Sequence, residues 1–317
     1  MLKYTIQRVL FMLLTLFIII GMCFMLIRLL PPATLDPTDI HWETIEARRE
    51  AMGYNKPLLV QFGIFLRDVF TKWDWGVSDK LYVGREVFSI FAEKMPATII
   101  VNLYSIILSI PIGILLGIFA ALKKNTWIDH TISTLTMVVI SVPSFVYAFV
   151  IQYIFSYKLG WLPFVMESGT DYFTWKMFIS MLPAVMSLSF GVIAGFARTT
   201  RAELTEVLTS EFMLLARTKG LTKAQATIRH ALKNCMVVIL PSIFGQFIGI
   251  MSGSLIIEKI FSIPGVGQLY IKSINAPDYP MFIMNTAFYT TIGLVASIVV
   301  DISYGLIDPR IRMGSKK

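Results

Sequence analysis

Six long apolar runs, separated by polar segments, form the main pattern of the chain. A helix needs roughly 20 apolar residues to cross the hydrocarbon core of a bilayer. The runs extend over about 9–30, 96–122, 128–157, 175–197, 235–257 and 281–306. The pattern predicts an all-α membrane protein with six transmembrane helices, in which Pro143 kinks the third. The first run ends in Leu-Leu-Pro-Pro rather than a small-residue cleavage site, so we expect it to stay uncleaved.

Charged residues fall mainly at the ends of these runs. The 317 residues are 56% hydrophobic and 15% charged, which leaves too little polar surface to cover a soluble globule of this size. The formal net charge is +8, but the basic residues follow the bias of cytoplasmic loops rather than one face. This distribution disfavours nucleic acid as a partner. Six crossings with both termini cytoplasmic satisfy the bias at every loop.

The polar segments divide the chain into four parts. Residues 1–30 are the N-terminal segment and first helix, and residues 31–95 are predicted as a small external subdomain packed on the membrane helices. Residues 96–306 are predicted as the transmembrane core, which includes a basic cytoplasmic segment at 198–234. Residues 307–317 are predicted as a cytoplasmic tail.

Glycines four residues apart recur in three of the predicted helices. This spacing places small residues on one face, where backbones can approach closely in a membrane. The sets are Gly113/Gly117, Gly191/Gly195 and Gly245/Gly249/Gly253. Tight packing is one interpretation, and the other is that helix five borders a pathway for a solute. The pathway-lining candidates are Gly245, Gln246, Gly249, Ser252 and Gly253.

Motifs for catalysis or metal binding are missing from the sequence. It contains no GxxxxGK[ST] phosphate loop, no HExxH helix and no GxSxG turn, so the chain itself is predicted not to be an enzyme. The histidines His41, His130 and His230 are too scattered for a metal site. Cys23 and Cys235 are predicted to lie at different depths and to stay unbridged.

Asp301 and Glu258 are the candidates for carboxylates within the hydrocarbon. An ion-coupled secondary carrier usually needs such a group near the middle of the membrane, whereas we expect both groups at interfaces. An intramembrane enzyme would need a converging nucleophile and base, and none is visible. Both classes stay as alternatives, and energy for transport is expected to come from another protein.

The basic cytoplasmic segment is where that energy can enter. Its sequence reads as a helix, a turn at Gly220 and a second short helix over 224–234, with Thr222 as a candidate cap. A short helix with an apolar edge and basic flanks suits docking onto another protein. The alternative is a solvated loop that touches anionic lipid headgroups.

Several motifs, in order, closely resemble the inner-membrane permease subunits of peptide-importing ABC transporters, the dipeptide, oligopeptide and nickel family. They are Ala-Arg-Thr-Lys-Gly-Leu at 216–221, His-Ala-Leu-Lys-Asn at 230–234, Pro-Gly-Val-Gly at 264–267, Asp-Tyr-Pro at 278–280 and Asp-Pro-Arg-Ile-Arg at 308–312. The N-terminal Lys-Tyr-Thr-Ile-Gln-Arg-Val-Leu and the long first external loop resemble the family's first permease, of the oligopeptide type.

The resemblance implies a type I ABC importer permease fold in a bacterial inner membrane. It also implies a homologous second permease, two cytoplasmic ATPases that bind ATP and Mg, and an extracytoplasmic peptide-binding protein as partners, within membrane lipid. The chain would bind no cofactor of its own. Its cargo would be oligopeptides, with dipeptides or nickel as alternatives.

The resemblance further assigns roles to particular residues. The segment that docks onto an ATPase would be formed by Ala216, Arg217, Thr218, Lys219, Gly220, Leu221, Thr222 and Lys223. The candidates for an external gate or a contact with the binding protein are Glu258, Phe261, Pro264, Gly265, Gly267 and Asp278.

The chain departs from the family pattern at two places. Leu214 and Leu215 stand where the wider family has glutamate and alanine, and Glu211 lies too early to take the glutamate's role. Val238 stands where the family commonly has proline, and Pro241 follows downstream.

Overall fold

The computed structural model describes residues 2–30, 42–51 and 53–307. These residues contain no strand, only an isolated antiparallel bridge between Val77 and Glu86. The all-α prediction is therefore confirmed. In chain order the helices are α1 (Leu2–Arg28), α2 (Trp42–Ala51), α3 (Leu58–Lys72), α4 (Val87–Leu122), α5 (Trp127–Ser141), α6 (Ser144–Ile151), α7 (Trp175–Leu208), α8 (Glu211–Thr218), α9 (Lys223–Ala226), α10 (Leu232–Gly249), α11 (Leu255–Ile260), α12 (Val266–Asn275) and α13 (Tyr279–Ile307).

Five helices in the described part of the chain are long and apolar enough to cross a membrane, and a bent pair forms a possible sixth span. The five are Thr5–Arg28, Val87–Leu122, Trp175–Leu208, Ala224–Ser252 and Tyr279–Tyr304. The sixth combines α5 with α6 and its π-helical extension to Lys158, bent by 100°. The predicted kink is a sharp corner, because Pro143 caps α6 with an extended backbone.

Two of the predicted helix boundaries are wrong. α4 begins at Val87 rather than at 96, since Val87, Ile90 and Phe91 are buried against α13 and continue the helix beyond its apolar run. α7 continues to Leu208 rather than stopping at 197, because its face stays buried through Leu204. The first part of the predicted cytoplasmic segment is therefore an extension of the fourth span.

The fifth span also differs from its prediction. The short helix expected at 224–234 is not separate, because it continues through a π-helical turn into α10. The span ends earlier than 257: a short 3₁₀ turn leads to Gly253, whose φ of +61° breaks the helix. Glu258 consequently lies on the separate helix α11.

α4 and α7 form the most extensive helix pair. A Cβ added at Gly113 would lie 2.7 Å from the carbonyl oxygen of Ile193, and one added at Gly117 would lie 2.6 Å from that of Ala197. Only glycine allows this approach, so the packing interpretation holds for this pair.

The segment between the first two spans packs on the membrane helices. This segment begins with the short helix α2, and Gly53 follows it with φ of +71°. α3, which was not predicted, packs against α1 and α13. Cys23 and Cys235 are free thiols, as predicted. Predictions that fall on 31–41 and 308–317 lie outside the described residues.

Candidate functional site

The turn around Gly220 has a defined geometry. Gly220 has φ of +89°, and its N–H donates to the carbonyl of Arg217 at 3.0 Å. The N–H of Leu221 donates to the carbonyl of Ala216 at 3.3 Å. These two bonds are those of a Schellman motif, in which a glycine in the left-handed region ends a helix. The predicted helix end at Gly220 is confirmed.

The helix that follows begins with a capping box. The N–H of Gln225 donates to Thr222 Oγ1 at 3.2 Å, and the N–H of Thr222 donates to Gln225 Oε1 at 3.1 Å. This reciprocal pair satisfies two backbone donors at the helix start. The predicted cap is confirmed, and the turn is fixed at both of its ends.

One face of the segment is anchored and the other is exposed. Met213 and Ala216 are buried in the same cluster as Leu204 and Cys235. Leu214 and Leu215 are 65% and 56% exposed. The remaining exposed positions of the turn are Arg217, Thr218, Lys219, Gly220 and Thr222. The two leucines that depart from the family pattern therefore contribute apolar surface beside the basic turn.

A cavity of about 260 Å³ lies between α7 and α10, and its lining includes Gly191, Gly195, Ser242 and Gln246. Added Cβ atoms at Gly191 and Gly195 would meet nothing within 4 Å. This glycine pair therefore opens a space instead of packing. The same two helices flank the turn around Gly220, α7 through the short helix α8 and α10 through α9.

The predicted pathway residues do not share one surface. Gln246 lines the cavity, whereas an added Cβ at Gly245 would lie 3.1 Å from Val300 Cγ2. A Cβ added at Gly249 would meet nothing within 4 Å. Ser252 and Gly253 belong to the break that ends the fifth span.

Glu258 lies at the centre of a buried network and is only 2% exposed. Thr98 Oγ1 of α4 donates to Glu258 Oε1 at 2.8 Å, and the N–H of Gln268 donates to Oε2 at 3.2 Å. The N–H of Val266 in turn donates to Thr98 Oγ1 at 2.9 Å. The network joins α4, α11 and α12. The protein encloses the Glu258 carboxyl, because the chain folds back over it after Gly253.

Burial raises the pKa of the Glu258 carboxyl to about 7. The hydrogen bonds from Thr98 and from the backbone act in the opposite direction, because they favour the charged form. Gly265 and Gly267 pack directly on the carboxyl, where a side chain would collide with it. The glycines of the Pro-Gly-Val-Gly motif therefore make room for this group.

The other external candidates are also largely enclosed. Phe261 is 1% exposed, and its carbonyl accepts from the N–H of Met166 at 2.9 Å. Asp278 is fully buried; its Oδ2 accepts from the N–H of Lys80 at 3.2 Å and from that of Leu81 at 3.0 Å, and also from the Ser78 hydroxyl. Pro264 is half-buried. Phe261 and Asp278 are therefore buried within the protein, where each accepts hydrogen bonds from another segment of the chain.

Asp129 is a functional candidate that the sequence interpretation missed. It is fully buried at the start of α5 and pairs with Arg201 of α7, whose Nη2 lies 2.9 Å from Asp129 Oδ2 and whose Nε bonds Oδ1. The N–H of Asn125 also donates to Oδ2 at 2.9 Å. The sequence does show an acidic residue in the first turn of a helix, but it could not show the partner of that residue, which lies 72 residues away.

Residues 113–313 match the family described as binding-protein-dependent transport system inner membrane component. Residues 1–102 match the N-terminal model of binding-protein-dependent transport system membrane components. The chain belongs to this family. It is accordingly a multi-pass inner-membrane permease subunit.

Curated relatives of this permease match over nearly their whole length. The dipeptide transport system permease protein DppB of Lactococcus lactis subsp. cremoris is 33% identical, covering 99% of this chain and 100% of the relative. The oligopeptide transport system permease protein OppB of Haemophilus influenzae is 33% identical, covering 98% and 100%. The glutathione transport system permease protein GsiC of Escherichia coli K12 is 32% identical, covering 98% and 99%.

A solved structure confirms the permease fold. The crystal structure of an amino acid ABC transporter with histidines aligns with a TM-score of 0.51 at 20% sequence identity. The alignment covers 69% of this chain and 94% of that chain. The prediction of a type I importer fold is confirmed.

Proposed function

We propose that this permease forms the transport pathway of an ATP-driven peptide importer, and that the turn around Gly220 receives the force from an ATPase. The observation that carries the proposal is the doubly capped turn, anchored by Met213 and Ala216 and exposed on its other face. A rigid, exposed turn held by buried residues transmits a displacement instead of absorbing it.

The connections of the turn support this role. It joins α7, a helix of 34 residues or about 50 Å, to the continuous fifth span. These two helices line the cavity that includes Gly191, Gly195 and Gln246. A movement of the turn therefore changes the space between the helices that border the proposed pathway. The narrow and wide arrangements of these helices are two states in equilibrium. ATP and cargo shift this equilibrium only by binding one state more tightly than the other.

The partners follow from the chain's lack of a phosphate loop. ATP hydrolysis is assigned to two cytoplasmic ATPases, which also bind the Mg, and the second half of the pathway to a homologous permease. An extracytoplasmic binding protein would deliver the cargo. Leu214 and Leu215 give the docking surface an apolar part, beside the basic side chains of Arg217 and Lys219.

The cargo is proposed as a peptide because relatives matched end to end are named for dipeptide, oligopeptide and glutathione transport. Within that class we propose oligopeptides, on the sequence features of the N-terminal region. Uptake of labelled peptides of increasing length by the reconstituted importer, with its own binding protein, tests this choice. Uptake confined to dipeptides would contradict it.

Both ends of the chain are proposed to be cytoplasmic. Arg8 Nη1 lies 3.2 Å from Asp301 Oδ2, so the start of α1 and the last turns of α13 lie at the same end of the molecule. A cleft lined by Lys124, Ser210 and Leu214 brings the loop after α4 to the coupling segment. Basic residues are concentrated near these positions, as expected for the cytoplasmic side.

The coupling role is tested with Gly220→Val in the assembled importer. A β-branched residue at φ of +89° is strained by about 1–2 kcal/mol, which lowers the equilibrium constant for forming the docking turn roughly tenfold. We expect a matching loss of ATP-driven uptake and of ATPase co-purification, while the permease stays folded in the membrane. The control is Gly293→Ala, at a glycine with nothing within 4 Å of an added Cβ. Unchanged uptake in Gly220→Val would overturn the assignment.

A further inference from the structure

We propose that α3, in the segment between the first two spans, is a membrane-embedded helix of the outer leaflet whose exposed apolar stripe contacts lipid. The stripe consists of Leu59 and Phe70, which are exposed, with the half-buried Leu66 between them. Leu59 and Phe70 are 77% and 82% exposed, among the highest values for large apolar side chains in the described residues. The assignment is independent of the cargo.

The depth of α3 follows from what it touches on α1. The Phe62 ring lies 5.6 Å from the ring of Phe17 and 5.3 Å from that of Phe24, measured between centroids. An added Cβ at Gly21 would lie 3.4 Å from the Phe62 ring. Phe17 is close to the middle of the span Thr5–Arg28.

The contact places α3 below the membrane surface. At 1.5 Å per residue, Phe17 lies about 16 Å along the helix axis from Arg28, the outer end of the span. A side chain that reaches Phe17 from outside must therefore enter the hydrocarbon. Arg28, a charged residue at the end of the span, marks the boundary between the hydrocarbon and the polar region. Its guanidinium lies 3.5 Å from the centroid of the Tyr54 ring, so the chain is at this boundary just before α3 begins.

The two flanks of α3 differ in polarity, as they do in a helix that lies at an interface. Phe62, Phe65 and Val69 form the face buried against α1 and α13. At 100° per residue, one flank of this face carries the apolar stripe. The other flank carries residues at the same spacing that are all polar or charged, namely Gln61, Asp68 and Lys72. Gln61 and Asp68 of the polar flank are buried and partnered within the protein: Gln61 Nε2 donates to the carbonyl oxygens of Tyr54 and Lys56, and Asp68 pairs with Lys72. The apolar flank has no such cover, which suits lipid.

Lipid is the occupant that the surroundings favour. Phe17, Met22 and Leu26 of α1 are 52%, 54% and 65% exposed, and they lie within a span that must face the bilayer. α3 packs directly on this helix, so its apolar stripe continues the same lipid-facing surface. Trp73, 56% exposed at the end of α3, is the residue type that accumulates at the membrane interface.

Spin-label accessibility in nanodiscs tests the proposal with the full chain and the subunits that co-purify with it. Labels are attached to Leu59→Cys and Phe70→Cys after Cys23 and Cys235 are replaced by alanine. Thr71→Cys is the matched control beside Phe70, and Met22→Cys is the lipid-facing reference. We expect collision with oxygen relative to a water-soluble nickel chelate to be several-fold higher at 59 and 70 than at 71, and similar to that at 22.

Two outcomes would overturn the proposal. Access of the nickel chelate to 59 and 70 equal to that at 71 would mean that the stripe faces water. Exclusion of both reagents would mean that a protein covers it, either the binding protein or the second permease. Unlabelled variants give an independent readout in nanodiscs: Phe70→Asp should lower the thermal midpoint, whereas Phe70→Leu and Thr71→Asp should not. Equal midpoints for Phe70→Asp and Thr71→Asp would also count against lipid contact.

Discussion

Glu258 is a buried carboxyl group whose hydrogen-bond partners are uncharged. Thr98 and backbone N–H groups hold it, and burial raises its pKa to about 7. An unfolded glutamate titrates near 4.5. A raised pKa means that the folded state binds the proton more tightly. The stabilisation of the folded state by protonated Glu258 is therefore complete below pH 4.5 and is lost as pH rises through 7.

Glu258→Gln is expected to remove this dependence. The glutamine keeps the size of the side chain but cannot ionise, so the decline in unfolding midpoint between pH 5 and 8 should flatten. The pKa difference corresponds to at most about 3 kcal/mol across that range. Thermal unfolding of the detergent-solubilised permease at a series of pH values measures the effect.

The control for this prediction is Glu167→Gln. Glu167 is a half-exposed carboxylate that pairs with Lys176 at 2.9 Å, and it is not part of the network around Glu258. Its substitution should leave the pH profile unchanged. A Glu258→Gln profile that stays parallel to the parent profile would show that Glu258 does not titrate in this range.

The burial of Glu258 was not predictable from the residue itself. Its position at the end of an apolar run suggested an interface, which is where glutamate is most often found. The signal lay in the glycines around it, because Gly253, Gly265 and Gly267 have no side chain and so let the backbone close over the carboxyl. The glycine motif could be recognised in the sequence, but the sequence did not show that these glycines enclose Glu258.

At the scale of helices, identical spacing has two different outcomes. Gly113 and Gly117 sit against the backbone of α7, whereas Gly191 and Gly195 of α7 face the cavity. Both pairs read as the same motif. The difference depends on which face of α7 the neighbouring helices occupy. Sequence spacing alone could predict a small-residue face but not what lies opposite.

Gly117→Leu is expected to separate α4 from α7. The new side chain would meet the Ala197 carbonyl and the Thr200 side chain, and overpacking of this kind costs about 1–3 kcal/mol. The expected result is a lower unfolding midpoint and reduced yield of folded permease. Gly293→Leu serves as the comparison, because an added Cβ at that position meets nothing within 4 Å. Equal midpoints for the two variants would contradict the close contact.

Neighbouring residues in the sequence predicted the turn and the cap well, whereas the ends of the long helices depend on packing and backbone geometry. The turn at Gly220 and the cap at Thr222 depend on neighbouring residues only, and both were found. The ends of α7 and of the fifth span were missed because buried contacts extend one helix to Leu208 and a positive φ at Gly253 ends the other. Polarity alone could not reveal either.

Across the whole molecule, polar contacts between elements hold both ends together. At one end, side-chain ion pairs link elements: Arg8 with Asp301, and Asp129 with Arg201. At the other, buried carboxyls accept from backbone and hydroxyl groups, as at Glu258 and Asp278, and Arg49 forms an ion pair with Asp79. Five of the spans between them are continuous helices in the described part of the chain, and the third is bent at Pro143. A displacement at the coupling turn is therefore expected to reach the outer segment as a movement of whole helices.

Asp278 ties the external segment to the start of the sixth span. It accepts from the N–H groups of Lys80 and Leu81 and from Ser78, and its Oδ1 accepts from the N–H of Met281 at 3.3 Å. A typical hydrogen bond within a protein contributes about 0.5–1.5 kcal/mol. Removing the acceptor leaves buried donors unpaired, so the segment should open more often.

Asp278→Ala is therefore expected to expose the loop around Lys80 and Arg85 to trypsin. Cleavage of a transiently opened segment follows the population of the open form, which rises about tenfold for every 1.4 kcal/mol lost. Limited proteolysis of the solubilised permease, with the fragments identified by mass spectrometry, measures this. Asp171→Ala, at an exposed loop carboxylate, is the matched control. Equal cleavage rates after 80 and 85 in the two variants would mean that the Asp278 network does not hold the external segment to the bundle, whereas a rise confined to Asp278→Ala would identify it as the outer anchor.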